Sequence, residues 1–181
     1  MSKKVLVAVA DGIEELEAVT IIDILRRAGA DVTIASVSSN QITASRRVRI
    51  TADAVISDCI DKTYDLIVLP GGMPGAEHLR DSKELAKMLK EQAEAGRLYA
   101  AICASPAVVL KHHGLLKGRR ATCYPAMSSN LDIWDDTKVV VDGNCITSQG
   151  PATAMEFALK LVELLVSPKK ASEIAKAVLA E

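Results

Sequence analysis

Residues 98 to 111 read Leu-Tyr-Ala-Ala-Ile-Cys-Ala-Ser-Pro-Ala-Val-Val-Leu-Lys: an apolar run, a cysteine, then a segment with Pro106 where a helix would begin. Proline suits a helix's first turn because its missing N–H has no intrahelical partner there, and Ser105 just before it is a good N-cap. The pattern predicts a strand, Cys103 at the corner, and a helix starting immediately after it. Unpaired N–H groups and the positive end of the helix dipole would then face the sulfur and favour thiolate over thiol. The same order of strand, nucleophile and helix presents the serine of Gly-x-Ser-x-Gly hydrolases. Cys103 is therefore the candidate nucleophile, with an expected pKa below the free-cysteine value of roughly 8.5. The plainer alternative is a small buried hydrophobe.

A nucleophile needs a proton partner, and Glu17 is the candidate. On a helical wheel begun at Glu14, Ile21, Ile24, Leu25 and Ala28 define one arc while Glu15, Asp23, Arg26 and Arg27 define the opposite one. Glu17 falls within the apolar arc. A buried carboxylate is costly unless protonated or hydrogen-bonded, and burial raises its pKa toward the value that a neutral-pH acid or base needs. Glu14 and Glu15 fit instead the ordinary preference of acids for a helix N-terminus. Gly71-Gly72 follows the apolar run Leu66–Leu69. Without side chains these residues permit close approach, so their N–H groups are candidate donors to an oxyanion or a sulfur oxygen.

These groups must be held by a scaffold, and the chain predicts one. Val5–Ala10 reads as a strand closed by Asp11-Gly12, Glu14–Ala28 as a helix stopped by Gly29, and Asp31–Val37 as a second strand. Leu66–Leu69 reads as a strand buried on both faces, Ser82–Ala95 as a helix, Leu98–Ile102 and Ala121–Tyr124 as strands, and Val55-Ile56 as too short to assign. Val139–Val141 and Cys145–Ser148 flank Asp142-Gly143-Asn144, a hairpin signal. Ala152–Val166 and Lys169–Leu179 read as helices interrupted by Pro168. Alternation of strand and helix implies a parallel sheet with helices on both faces. The segment Gln41–Thr51 departs from it: Ile42, Val48 and Ile50 alternate with polar residues, predicting a small antiparallel hairpin. In such sheets ligands bind beyond the carboxyl ends of the strands, where Asp11-Gly12, Pro70-Gly71-Gly72 and Cys103 all lie.

Length and composition narrow the function. At 181 residues and 49% apolar content, residues 1–181 suit one domain with a sufficient core of its own. A net charge of −1 argues against a nucleic-acid or anionic-membrane binder, and no apolar stretch is long enough for a membrane span. No secretory signal follows Met1-Ser-Lys-Lys, so the expected location is cytoplasmic. Cys59, Cys103, Cys123 and Cys145 are widely spaced and apart from His78, His112 and His113. They read as reduced thiols rather than a disulfide frame or metal site.

Five segments together resemble the ThiJ/PfpI superfamily, and within it the DJ-one clade: residues 11–17 (DGIEELE), 44–48 (ASRRV), 65–72 (DLIVLPGG), 100–106 (AAICASP) and 147–153 (TSQGPAT). The resemblance runs over nearly the whole chain and implies a flavodoxin-like three-layer sandwich. It implies Cys103 as nucleophile, Glu17 as its hydrogen-bonded carboxylic partner, and Gly72 with Ala104 as backbone donors. Arg46 matches an arginine that reaches the site across a dimer interface, so a homodimer is expected. Two positions depart from the pattern. Tyr124 stands where many relatives have a histidine; with an unperturbed pKa near 10 it is a poor neutral-pH base, leaving Glu17 to carry the proton. Gln149 replaces a common arginine. The implied activity is a glutathione-independent glyoxalase of the D-lactate dehydratase-like type, acting on small reactive aldehydes without cofactor or metal, with protein deglycation following the same chemistry. The alternative is a redox sensor or stress chaperone working through oxidation of Cys103 to a sulfinate. Possible site lining extends to Gly71, Arg46 and Tyr124.

Overall fold

Val5 to Ala10 are all fully buried, which a strand achieves only when both faces of its sheet are covered. In the computed structural model, which describes residues 2–180, this run is strand β1 (Lys4–Val9). Its neighbours are β2 (Asp31–Ser36) and β6 (Leu66–Leu69), which is buried at every position. Beyond β6 lie β7 (Leu98–Ile102), β9 (Cys145–Ser148) and β8 (Val139–Asp142), and beyond β2 lies the short β5 (Ala54–Val55). The seven strands run in the order β5-β2-β1-β6-β7-β9-β8. All pairings are parallel except the β8–β9 hairpin. The expected small hairpin is a separate two-stranded sheet, β3 (Gln41–Thr43) with β4 (Arg49–Thr51). This is the flavodoxin-like sandwich.

Helix α1 (Glu15–Arg27) buries Ile21, Ile24 and Leu25 and packs on α4 (Ala154–Leu165). Helix α3 (Lys83–Glu94) packs against β6 and β7 and is capped by Ser82, whose hydroxyl accepts the Leu85 N–H. Among the described residues, all the buried hydrophobic side chains except Val140 and Ala175 form one connected cluster. Among the described residues no helix is long and apolar enough to cross a membrane.

Four local expectations need correction. Residues 121–124 are not a strand: Ala121 makes a single bridge to Trp134, and Thr122 N–H is taken by the Thr147 side chain. Apolar run length cannot distinguish a strand from a buried irregular segment tied down by side chains. A short helix α2 (Gly75–Asp81), with no sequence signal of its own, precedes α3. Pro168 is the first residue of α5 (Pro168–Ala177) rather than a spacer, with Ser167 as N-cap accepting the Lys170 N–H. Ser105 does not cap; its buried hydroxyl donates to the Pro70 carbonyl.

The sheet order has a functional consequence. The chain leaves β1 toward β2 on one side and resumes at β6 on the other, so the crevice at the β1/β6 carboxyl ends is a topological switch point, where ligands bind in open α/β sheets. The segments following β1, β6 and β7 gather there.

Candidate active site

Cys103 is held at φ 64°, left-handed backbone that a non-glycine residue adopts at a cost of about 1–3 kcal/mol. Bonds on each side maintain it. Cys103 N–H donates to Ser148 O at 2.9 Å, and Tyr124 N–H donates to Cys103 O at 2.7 Å. The Ser105 hydroxyl ties the next turn to Pro70. This strained corner turns the side chain out of the sheet toward the crevice, leaving Cys103 9% exposed. The chain then enters a π turn, Pro106–Leu110, closed by Lys111 N–H to Pro106 O at 2.9 Å.

Glu17 is fully buried on α1, as its place in the apolar arc predicts. Its Oε2 accepts the Gly71 N–H at 2.7 Å. Oε1 is also buried and has no hydrogen-bond partner among the described residues. Burial raises this carboxyl to about 7, against the opposing effects of the Gly71 N–H and the neighbouring Cys103 thiol. Glu14 and Glu15 do more than sit at a positive helix end. Glu15, 8% exposed, accepts the Arg46 N–H at 2.8 Å and the Val48 N–H at 3.4 Å, and Ser45 Oγ lies 3.0 Å from both Glu14 Oε2 and Glu15 Oε2. Those backbone and hydroxyl donors outweigh burial and hold the Glu15 carboxyl below its ordinary value. Glu15 thereby fixes the β3–β4 turn beside the crevice, a role invisible in the sequence because the partners lie 30 or more residues away.

The expectation of a depressed thiol at Cys103 is not met. Burial pushes it up to about 12, with the neighbouring Glu17 carboxyl adding to the rise. Only the N–H groups of Gly72 and Ala104 pull it down. The regular segment after Cys103 has five residues, too short to sum a strong helix dipole, so the electropositive help is confined to local N–H groups. Of the two neighbouring groups the carboxyl, at about 7, loses its proton before the thiol. Cys123 and Cys145 are also pushed up by burial, to about 11 and about 12, and Cys59 is fully buried. Access to a cleft and a carboxyl neighbour single Cys103 out.

That cleft measures about 350 Å3. It is lined by the polar Glu14, Ser45 and Arg46, by Met73, Tyr124, Met127 and Pro151, and by Gly72, Cys103 and Ala104. Of the expected residues, Cys103, Gly72, Ala104, Arg46 and Tyr124 meet there, and Arg46 lines the cleft of its own chain. Gly71 does not reach the wall. It lies behind the cysteine, where a methyl group would stand 2.6 Å from Cys103 Cβ and 2.9 Å from Ala104 N. Gly72, at φ +87°, has a conformation glycine takes without penalty. Sequence reasoning missed Glu14 and Ser45, which read as ordinary helix-end and turn residues, and Met73, Met127 and Pro151, which carry no chemical signal. A larger hollow of about 490 Å3 near Asp11, His78 and Lys83 contains none of the cysteines. No histidine lines the Cys103 cleft: His78 meets the Asp11 carbonyl and His113 the Arg80 carbonyl.

A strained cysteine corner on a flavodoxin-like sheet, faced by a buried glutamate and two backbone donors, defines a class of cysteine-centred α/β proteins. Residues 3–164 match the DJ-1/PfpI family model, and the chain belongs to that family, within its DJ-1 clade. It is 49% identical to protein DJ-1 homolog B of Arabidopsis thaliana over 97% of its own length. It spans only 41% of that plant protein, less than half its length. It is 37% identical to the glutathione-independent glyoxalase DJR-1.2 of Caenorhabditis elegans, covering 90% of this chain and 88% of the worm protein. The solved structure of oxidized Toxoplasma gondii DJ-1 superposes with a TM-score of 0.97 at 50% identity, covering 98% of each chain.

Proposed function

We propose that this protein, acting through one domain spanning the chain, is a cysteine-dependent, glutathione-independent glyoxalase that converts methylglyoxal or glyoxal to the hydroxy acid. The observation that carries this reading is the pairing of Cys103 with a buried Glu17 at about 7, present in both protonation states near neutrality as a proton carrier must be. The name of the C. elegans relative supports the substrate class. In the reaction, the Cys103 sulfur attacks the aldehyde carbon. A C–S bond forms, the carbonyl electron pair moves to oxygen, and Glu17 passes the thiol proton to that oxygen, giving a hemithioacetal. Glu17 then removes the hydrogen on that carbon as a proton, giving an enediolate, and returns it to the neighbouring carbon while the hydroxyl proton on the first carbon passes to the oxygen on the second. The first carbon is thereby oxidised to a thioester and the second reduced to an alcohol, with no external oxidant. Water cleaves the thioester, releasing the hydroxy acid and restoring the thiol. The Gly72 and Ala104 N–H groups, which favour the charged form of the sulfur, suit the stabilisation of negative charge at this base. Deglycation of proteins would use the same steps on a larger adduct.

Steady-state turnover of methylglyoxal tests the reading. Cys103→Ser is expected to abolish it, and Glu17→Gln to lower it on the order of 10²–10⁴-fold, far more than Tyr124→Phe. Near-wild-type turnover in Glu17→Gln would sink the mechanism.

A redox reading is favoured by the oxidized state of the T. gondii structure. Here Cys103 takes up two oxygens from peroxide and a protonated Glu17 donates to the sulfinate. Intact mass after mild peroxide should show a dioxidised plateau that Glu17→Leu loses to the sulfonate.

The assembly proposed is a homodimer. Leu16 and Val19, three residues apart on α1, are 52% and 51% exposed, and Val48 on the adjoining turn is 48% exposed. Such a patch suits an isologous two-fold interface. The four free, buried cysteines suit the reducing cytoplasm.

A further inference from the structure

The surface around Cys103 continues past Tyr124. A shallower hollow of about 230 Å3 lies beyond it, lined by Pro125, Gln149, Gly150, Ala152 and Thr153, and shares Tyr124 and Pro151 with the cleft. Tyr124 therefore stands at the boundary of two adjacent hollows. Its ring lies along Gly150, where a methyl group would stand 3.6 Å from Cδ2. Of the side-chain polar groups of the hollow, Gln149 Nε2 and Thr153 Oγ1 are already engaged. Gln149 Nε2 donates to Asp136 Oδ1 at 2.9 Å. Thr153 Oγ1 donates to Gly150 O at 2.9 Å, accepts the Gly150 N–H at 3.1 Å, and lies 2.6 Å from Ser148 Oγ. The surfaces left for a ligand are the Tyr124 ring with its hydroxyl, two proline rings and the Ala152 methyl.

The lining of the cleft is mixed: Glu14, Ser45 and Arg46 are polar, and Met73, Met127 and Tyr124 add apolar and aromatic surface. At about 30 Å3 per water, its 350 Å3 would hold about a dozen waters, whereas methylglyoxal has only three carbons. We infer that the hollow beyond Tyr124 is a subsite for the flat, apolar substituent of a 2-oxoaldehyde bound at Cys103, with Tyr124 and Ala152 as specificity-determining residues. The inference rests on the glyoxalase reading and narrows its substrate class. With Gln149 Nε2 and Thr153 Oγ1 bonded internally and proline rings, the Tyr124 ring and the Ala152 methyl making up most of the lining, the hollow offers a sugar-like or charged substituent little replacement for lost hydration, while an aryl group gains by leaving water.

The test compares kcat/KM for phenylglyoxal and methylglyoxal. Wild type should favour phenylglyoxal by about tenfold or more, the discrimination that apolar contacts supply. Ala152→Trp fills the hollow from an exposed position, and Tyr124→Ser removes the ring while keeping the backbone bond to Cys103. Each should lower the phenylglyoxal-to-methylglyoxal ratio. Methylglyoxal turnover with a ratio near one, unmoved by either variant, overturns the subsite and leaves the glyoxalase reading standing. Absence of turnover on both aldehydes overturns the glyoxalase reading instead. The subsite is then read from the rates at which N-phenyl iodoacetamide and iodoacetamide alkylate Cys103: a preference for the phenyl reagent that Ala152→Trp removes supports it, and equal rates overturn it.

Discussion

Glu17→Gln should make the protein more stable at pH 8 while making it a poorer catalyst. The folded carboxyl keeps its proton up to about 7, whereas in the unfolded chain it is lost around 4.5. Between those values the native state binds more protons than the unfolded one, so stability falls as pH rises. At about 1.4 kcal/mol per pH unit, burying this group costs about 3 kcal/mol once both states are ionised. Glu17 is fully buried, so solvent does not screen the effect. The neutral amide retains an acceptor for the Gly71 N–H and removes the proton linkage. The expected gain is about 1 kcal/mol at pH 5, rising to about 3 kcal/mol at pH 8. For a chain of this size that corresponds to roughly 6–12 °C in Tm. Urea unfolding of wild type and variant across pH 5 to 8 measures it. A difference that stays flat over this range, or a variant less stable at pH 8, refutes the argument that burial sets this group's protonation.

Because the Glu17 charge helps hold the Cys103 thiol high, Glu17→Gln should let iodoacetamide alkylate Cys103 at lower pH than in wild type; coincident pH profiles by peptide mass spectrometry would contradict this. Glu15→Gln should destabilise the protein near neutrality by about 1–3 kcal/mol, the worth of hydrogen bonds to a charged group, and speed hydrogen exchange at Arg46 and Val48. Since the folded Glu15 value is depressed, its stabilising effect is present above 4.5 and disappears as pH falls through the folded value; a deficit independent of pH would argue otherwise. Leu16→Asp should dissociate the dimer in sedimentation at micromolar protein. A wild type sedimenting near 19.3 kDa refutes the dimer itself.

Much of the scaffold was legible because its signals are local. Leu66–Leu69 and Leu98–Ile102 are strands at the expected residues, since an apolar run bounded by turn signals states its own length. The hairpin around residues 41–51 follows from alternation, and the burial of Glu17 from helical periodicity on α1 alone. Where partners are distant in sequence, local reasoning failed. Ser105 has the chemistry of a cap but finds the Pro70 carbonyl, and residues 121–124 have strand composition but are pinned by Thr147 and the Cys103 carbonyl.

The sequence alone determined the candidate groups: one cysteine at a strand's end, one glutamate forced inward by its helix, and glycines that leave room for both. Tertiary structure alone decided their electrostatics and surroundings. Cys103 is raised rather than lowered because its pKa depends on burial and on a carboxyl 86 positions earlier in the chain. Arg46 reaches the cleft because Glu15, on a different element, holds its turn. Residue type and periodicity are properties of the chain, but desolvation and charge proximity arise only when distant segments share a volume, and those terms set the reactivity of the site.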